Sequence, residues 1–159
     1  SYNDFEDFSL EKYNNSVGER KVQSIEGSSF LIPMEIIKKY GFMREDFFMY
    51  VEETDYCYRL KKRGIPSFIV TKSIIVHKGA ESFKNNKHLE LYFRRRNYLY
   101  FEKDHYKKSI LSNLKEKVGI YNSIKYFIKY FTKRVEKNNL YFLNLANIHA
   151  LFNVKGNLK

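Results

Sequence analysis

The residues best suited to catalysis in this 159-residue chain are an acidic cluster, Glu52-Glu53-Thr54-Asp55, and a histidine further along, His77. A carboxylate can take a proton from a hydroxyl group, and an imidazole can act as a base or bind a metal ion. The sequence contains none of the patterns GxGxxG, GxxxxGK(S/T), HExxH or GxSxG. It therefore indicates acid–base chemistry on carboxylates, without a nucleotide-binding loop of its own.

These residues also have simpler structural interpretations, which stay open at this point. Acidic residues are favoured in the first turn of a helix, and Asp55 lies one turn before Arg59, where an ion pair adds a few tenths of a kcal/mol. A lone histidine at a strand end, such as His77, is more often a surface or hydrogen-bonded residue than a ligand. Such ordinary roles are expected for the other histidines, His88, His105 and His149. Cys57 is expected to be a small buried apolar residue.

Short elements must position the acidic cluster. The apolar pattern predicts a buried strand at 30–32, after which Pro33 suits the start of a helix at Met34–Tyr40 that Gly41 closes. A second helix is predicted over 52–63, with Gly64 as its stop signal. Two short strands should follow, at Ser67–Val70 and at 73–76.

From about residue 85 the pattern changes to long helices. The first places Leu89, Tyr92, Phe93 and Tyr100 on one side and continues without a turn signal until after Asp104. Two further helices are predicted, a basic amphipathic one over 120–137 and a mostly apolar one over 140–152. These patterns together indicate an α/β fold with short strands, followed by an α-helical C-terminal region.

The net charge of +11 comes from 29 Lys and Arg against 18 Asp and Glu. Residues 1–80 carry equal numbers of basic and acidic side chains, so the excess lies entirely in 81–159. A content of 43% apolar and 18% aromatic residues can bury a core and excludes a wholly disordered chain. The single cysteine, Cys57, excludes an internal disulfide framework.

The basic second half suggests an anionic partner. Lysines recur every four residues in the predicted amphipathic helix and would repel one another, namely Lys125, Lys129, Lys133 and Lys137. This face could lie on an anionic membrane surface, or it could be solvated while the apolar side packs on the core. Nucleic-acid binding is an alternative, because Arg94-Arg95-Arg96 lie among aromatic residues. Another is an interaction module with an exposed apolar face that binds a partner or a second copy.

Several short segments follow one another in a distinctive order: 27–33 (GSSFLIP), 40–42 (YGF), 45–60 (EDFFMYVEETDYCYRL), Gly64, 76–82 (VHKGAES), and Tyr92 with Arg96-Asn97. In order and spacing they resemble the acceptor-side half of family 2 glycosyltransferases of the rhamnosyltransferase type. The resemblance covers about residues 24–101. Residues beyond about 106 match no family pattern.

The resemblance implies a partial GT-A-type fold. Residues 1–84 would form the acceptor-side half of a catalytic domain, and 85–159 a basic helical region. An Asp-x-Asp donor motif after a buried strand is missing, so most of the half that binds the nucleotide-sugar donor is expected elsewhere. Because the sequence begins with Ser1 and not with Met, it is expected to be part of a longer protein, and the isolated chain to be inactive.

The resemblance also implies roles for single residues. The second acidic position of the family's Glu-Asp-x-Asp pattern falls on Glu53, which becomes the candidate general base, with Glu where Asp is more usual. Asp55 is the alternative base or a ligand of the acceptor hydroxyl, and Glu52 would orient either. His77 matches a histidine that binds Mn²⁺ or Mg²⁺ in some relatives. Substrate binding is implied for Gly27, Ser28, Ser29, Tyr50 and Arg96.

The expected partners are therefore a nucleotide-sugar donor and a glycan or lipid-linked acceptor. No apolar run approaches the roughly 18 residues that span a bilayer, and the first residues are acidic, unlike an export signal. The expected location is the cytoplasm, with peripheral attachment to the inner face of the cell membrane.

Overall fold

A computed structural model describes residues 18–78, 86–110, 112, 124, 128 and 137–158. The helices and strands occur along the chain as β1 (Glu19–Val22), α1 (Met34–Tyr40), α2 (Glu52–Lys61), β2 (Ser67–Val70), α3 (Lys87–Tyr106) and α4 (Lys137–Leu151). A short 3₁₀ turn at Glu45–Phe47 precedes α2. The mixture of helices with a small sheet confirms the predicted α/β class at this coarse level.

The sheet is an antiparallel pair in which Glu19 of β1 lies opposite Val70 of β2 and Val22 lies opposite Ser67. Hydrogen bonds from the backbone N–H and the hydroxyl group of Thr71 to the carbonyl of Gly18, at 3.0 and 2.8 Å, extend the pairing by one step. The strand predicted at Ser67–Val70 is therefore confirmed.

Two other strand predictions are wrong. Residues 30–32 do not form a strand, and Leu31 is 96% exposed. Residues 73–76 have no regular structure either, and Val76 is 95% exposed. An apolar, β-branched run becomes a strand only where a neighbouring strand pairs with its backbone, and within the described ranges β1 and β2 pair with each other alone.

Proline and glycine define the helix boundaries as predicted. Helix α1 begins directly after Pro33 and ends at Gly41, whose N–H donates to the carbonyl of Ile37 at 2.9 Å. Gly41 has a φ of 78°, a left-handed value that glycine adopts without a steric penalty. Helix α2 ends two residues before the predicted boundary, and Gly64 follows in the same left-handed region.

The long helices of the second half pack against each other and against the loop that precedes α2. One buried cluster contains Phe47, Leu99, Tyr100, Ile110 and Ala150, and a second contains Tyr92, Phe93 and Ala146. Each large side chain that is fully buried contributes about 1.5–3 kcal/mol. The first cluster joins residues from both sides of the boundary proposed between residues 84 and 85. Helix α3 is therefore a structural support for the acidic cluster.

The predictions for α3 and α4 are confirmed within a few residues at each end. The amphipathic helix predicted over 120–137 lies mostly outside the described residues, as do Lys125, Lys129 and Lys133, while Lys137 begins α4. None of the described helices has the length and apolar character needed to cross a membrane.

Candidate functional site

The loop that leads into α2 has an unusual backbone. Phe48 has φ 63° and ψ −60°, and the N–H of Met49 donates to the carbonyl of Phe47 at 2.8 Å, so these three residues form a γ-turn of the rare positive-φ kind. Tyr50 and Val51 follow at φ 67° and 74°. For residues with a Cβ, and above all for a β-branched valine, such values cost about 1–3 kcal/mol each. Other contacts must therefore hold this loop.

Asn97 of α3 supplies those contacts. Its side-chain amide donates to the carbonyls of Phe47, Met49 and Tyr50 at 2.7, 2.7 and 2.8 Å. Asn97 is fully buried, and its side-chain oxygen accepts a hydrogen bond from Nε of Arg96 at 3.0 Å, which fixes the orientation of the amide. One side chain thus binds three of the four carbonyl groups between Phe47 and Tyr50.

Arg96, the residue before Asn97 on α3, also binds this loop. Its guanidinium group donates to the carbonyl of Phe47 at 3.0 Å and to the carbonyl of Gly156 at 2.7 Å, which joins the C-terminal segment to the loop. The guanidinium also lies 5.1–5.9 Å from the ring centroids of Tyr92, Phe93 and Tyr100. Arg96 is 0% exposed, and its described contacts are with the loop, the carbonyl of Gly156 and these rings, so its substrate-binding role stays a prediction.

Glu52 and Glu53 follow this loop directly and lie in the first turn of α2. Each has one buried carboxylate oxygen, Oε2, that no donor of another described residue reaches, and the two carboxyl groups are close enough to hydrogen-bond to each other when one is protonated. Burial raises the pKa of Glu52 to about 7, and the neighbouring carboxylate of Glu53 acts in the same direction. A carboxyl group with such a pKa can hold or release a proton near neutral pH.

The predicted substrate-binding loop lies beside these carboxylates. A Cβ atom added to Gly27 would be 3.9 Å from Cδ of Glu53, and Ser24 donates to the hydroxyl of Thr54 at 3.3 Å. Ser28 and Ser29 are exposed and Tyr50 is half-buried. The structure therefore brings Gly27 together with Glu53, although the two residues are far apart in the sequence.

Asp55 lies one turn further along α2 in a different environment. It is 0% exposed, and both of its oxygens have cationic or imidazole partners: Oδ2 is 2.8 Å from Nε of Arg59, and Oδ1 is 2.6 Å from Nε2 of His105. Nη1 of Arg44 lies 3.6 Å from Oδ1. The predicted pair with Arg59 is confirmed. Because its carboxylate is fully occupied, Asp55 is a structural ion-pair centre that joins α2 to α3.

His77 does not join the acidic cluster through any described contact. Its side chain is 53% exposed, and Nδ1 is 3.7 Å from the carboxylate of Glu26. A tight metal site needs at least three ligands, and in the described ranges no group of three His, Cys, Asp or Glu side chains could hold an ion. The residues present therefore do not by themselves fit the Mn²⁺ or Mg²⁺ site that the resemblance implies.

Sequence reasoning missed the main partners of this site. It assigned His105 to an ordinary role without locating Asp55 as its partner, and it did not anticipate Arg44 or Gly156. No local spacing could have found the contact between Asp55 and His105, which are 50 residues apart in the chain. Asn97 did have a signal, since it follows Arg96 in the Arg-Asn element, but its three acceptors are visible only in the folded chain.

Comparison of the chain with protein-family models, with curated proteins and with solved structures finds no match.

Proposed function

We propose that this chain is the acceptor-side portion of an inverting glycosyltransferase with a GT-A fold, similar to family 2 rhamnosyltransferases. The donor is a nucleotide sugar, and the acceptor is a hydroxyl group of a glycan or of a lipid-linked glycan at the inner face of the cell membrane. The half that binds the donor lies largely outside the resemblance carried by this sequence.

One observation carries the proposal. Two segments of the resemblance, the Gly-Ser-Ser loop and the acidic helix start, meet at Glu53, whose Cδ would lie 3.9 Å from a Cβ added to Gly27. At that point Glu52 and Glu53 both have a buried carboxylate oxygen. No donor of another described residue reaches these oxygens, and the raised pKa of Glu52 rests partly on a hydrogen bond to Glu53, so the two carboxyl groups can share one proton. Such a carboxyl–carboxylate pair is an arrangement suited to proton transfer with a ligand hydroxyl.

In the proposed reaction Glu53 is the general base. The acceptor hydroxyl donates its proton to the carboxylate of Glu53 while its oxygen forms a bond to the anomeric carbon of the donor sugar. The bond between that carbon and the diphosphate breaks, and the nucleoside diphosphate leaves with the electron pair. Glu52 sits beside the base, and its raised pKa of about 7 lets it share the proton afterwards.

A divalent cation would, in this class of reaction, neutralise the departing diphosphate. His77 and Glu26 are two groups that could contribute to its binding, and further ligands would have to come from outside the described residues. The role proposed for Glu53 as base does not depend on the metal.

The proposal is tested by nucleoside diphosphate release from the full-length protein with UDP-glucose, UDP-galactose and dTDP-rhamnose, in the presence of a lipid-linked glycan extract. Glu53→Gln should lower turnover by about 10²–10⁴-fold, the usual contribution of a general base. Donor affinity, measured by calorimetry with UDP or dTDP, should stay the same because the carboxylate acts on the acceptor.

The matched control is Glu35→Gln, which removes an exposed carboxylate from α1. It should keep wild-type turnover. Wild-type turnover in Glu53→Gln would remove Glu53 as the base, and a wild-type protein that releases no diphosphate from any donor would reject the transferase proposal.

A further inference from the structure

We propose that Asn97 is a positioning residue. Its side-chain amide holds the loop 47–51 in a conformation with three positive φ values and thereby sets where Glu52 and Glu53 lie at the start of α2. The importance of this for catalysis rests on the proposed function, whereas the positioning itself can be tested without any substrate.

The first step of the argument is that the loop does not adopt this backbone from its own preferences. Phe48, Tyr50 and Val51 all have positive φ values between 63° and 74°, and none of them is glycine. Residues with a Cβ avoid this region. A contact from outside the loop must therefore select it.

The second step is that the selecting contact comes from α3. The carbonyl of Phe47 accepts three hydrogen bonds, from the N–H of Met49 at 2.8 Å, from Arg96 at 3.0 Å and from Asn97 at 2.7 Å. The carbonyl of Tyr50, in the peptide bond just before Val51, accepts from Asn97 at 2.8 Å. In the turned loop the carbonyls of Phe47, Met49 and Tyr50 all face one buried amide.

The third step connects the loop to the carboxylates. Val51 is the N-cap residue of α2, and its carbonyl accepts the first helical hydrogen bond, from the N–H of Asp55 at 2.8 Å. Glu52 and Glu53 follow immediately, each with a buried oxygen that no donor of another described residue reaches. A loop that relaxed to negative φ would turn the first helical residues and expose these carboxylates.

The test substitutes Asn97→Ala and follows the titration of the Glu52 carboxyl carbon by NMR, with helix content and thermal unfolding as measures of folding. The titration midpoint should fall by roughly 1 pH unit or more, toward the ordinary value of a solvated glutamate. The matched control is Asn147→Ala, which removes the acceptor of a 2.9 Å hydrogen bond from Arg95 elsewhere on α3. This control should leave the Glu52 midpoint unchanged.

A rescue experiment separates positioning from general packing. Phe48 is 45% exposed, and Phe48→Gly permits its positive φ without strain. The effect of Asn97→Ala on the Glu52 midpoint should therefore be smaller in a Phe48→Gly background. An equal effect in both backgrounds would contradict action through the loop conformation.

If Asn97→Ala does not fold, the Glu52 titration is measured in the double variant Phe48→Gly/Asn97→Ala and in Asn97→Ser. The serine hydroxyl keeps one hydrogen-bond donor at this position. An unchanged Glu52 midpoint in folded Asn97→Ala overturns the proposal, and where that variant does not fold, a wild-type midpoint in Asn97→Ser overturns it. Failure of all three variants to fold also overturns it, because Asn97 would then be a requirement for folding and not for site geometry.

Turnover separates this proposal from the proposed function. In an active transferase, Asn97→Ala should lower kcat while the KM for the donor changes little, since the displaced groups act on the acceptor. A shifted Glu52 midpoint in a protein without transferase activity would reject the proposed function and leave the positioning role intact. An unshifted Glu52 midpoint in Asn97→Ala of an active transferase would reject the positioning role and leave the proposed function intact.

Discussion

Two parts of the same helix turn use their carboxylates in opposite ways. Glu52 and Glu53, at the start of α2, each have a buried oxygen that no donor of another described residue reaches. Asp55 is fully buried, and Arg59, His105 and Arg44 surround it at 2.6–3.6 Å. The carboxyl groups of Glu52 and Glu53 have each other as hydrogen-bond partner and no cation beside them, whereas both oxygens of Asp55 have cationic or imidazole partners.

This difference distinguishes carboxylates that could take part in a reaction from a carboxylate that stabilises the fold around them. A buried carboxylate with ion-pair partners on both oxygens stabilises the fold once it is formed, and removing it leaves the partners unpaired. A buried carboxylate without cationic partners costs stability, and proteins retain such groups mainly where they bind or react. Within one acidic cluster, Asp55 therefore has the structural role, and Glu52 and Glu53 have the candidate chemical role.

The largest expected effect on stability comes from Asp55→Asn. The substitution keeps the shape of the side chain but leaves Arg59 and His105 without their charged partner, which should lower the free energy of unfolding by about 3 kcal/mol. Urea unfolding measures this loss. Glu53→Gln, two positions earlier, should change the same quantity by less than about 1 kcal/mol. Equal losses of unfolding free energy in Asp55→Asn and Glu53→Gln would contradict the assignment of a structural role to Asp55 and a chemical role to Glu53.

A smaller effect with a distinct pH dependence is expected for Glu52→Gln. The pKa of Glu52 is raised from 4.5 to about 7, so the folded state binds more protons than the unfolded state between these values, and stability falls as pH rises through this range. Glutamine cannot ionise. At pH 8 the variant should therefore be more stable than wild type by about 1 kcal/mol, less than the full linkage value because the side chain is partly exposed.

Urea unfolding at pH 5 and pH 8 checks this prediction. The advantage of Glu52→Gln should be much smaller at pH 5 than at pH 8, because pH 5 lies only just above the value of 4.5 at which the unfolded state begins to lose the proton. Glu35→Gln serves as the control, and its difference from wild type should be the same at both pH values. An advantage of Glu52→Gln that is equal at pH 5 and pH 8 would contradict a raised pKa.

The smallest effect is expected at the exposed edge of the structural group. Arg44 contacts Asp104 of α3 at 2.6 Å, but both side chains are partly exposed, and Arg44 also binds Asp46 through two hydrogen bonds at 2.8 and 3.0 Å. Asp104→Asn should therefore cost less than about 1 kcal/mol in urea unfolding, and less still in 1 M salt. A loss as large as that of Asp55→Asn would show that burial does not set the ranking.

The sequence was sufficient where local signals decide the structure. Pro33 and Gly41 predict both ends of α1, and Gly64 predicts the end of α2 to within a few residues. These signals work because the fixed φ of proline and the left-handed φ of glycine act on the backbone at that position. The uninterrupted helical pattern likewise predicts α3.

The sequence was not sufficient where contacts between residues far apart in the chain determine the local structure. Residues 30–32 and 73–76 have the composition of strands but form none. Nothing in Phe48, Tyr50 or Val51 indicates a positive φ, because the loop takes its conformation from Asn97, which lies almost 50 residues away. The acidic cluster was identified from its residue types, but its division into a part with cationic partners and a part without them depends on α3, which the sequence pattern cannot orient.

The central claim is that the start of α2 holds a carboxyl group in an environment that disfavours its charge. The most direct test is a pH titration of the Glu52 side-chain carboxyl carbon by NMR in the unmodified chain. The expected midpoint is about 7, well above the ordinary value of 4.5 for glutamate. A midpoint near 4.5 would show that Glu52 is solvated and would contradict the distinction drawn between Glu52 and Asp55.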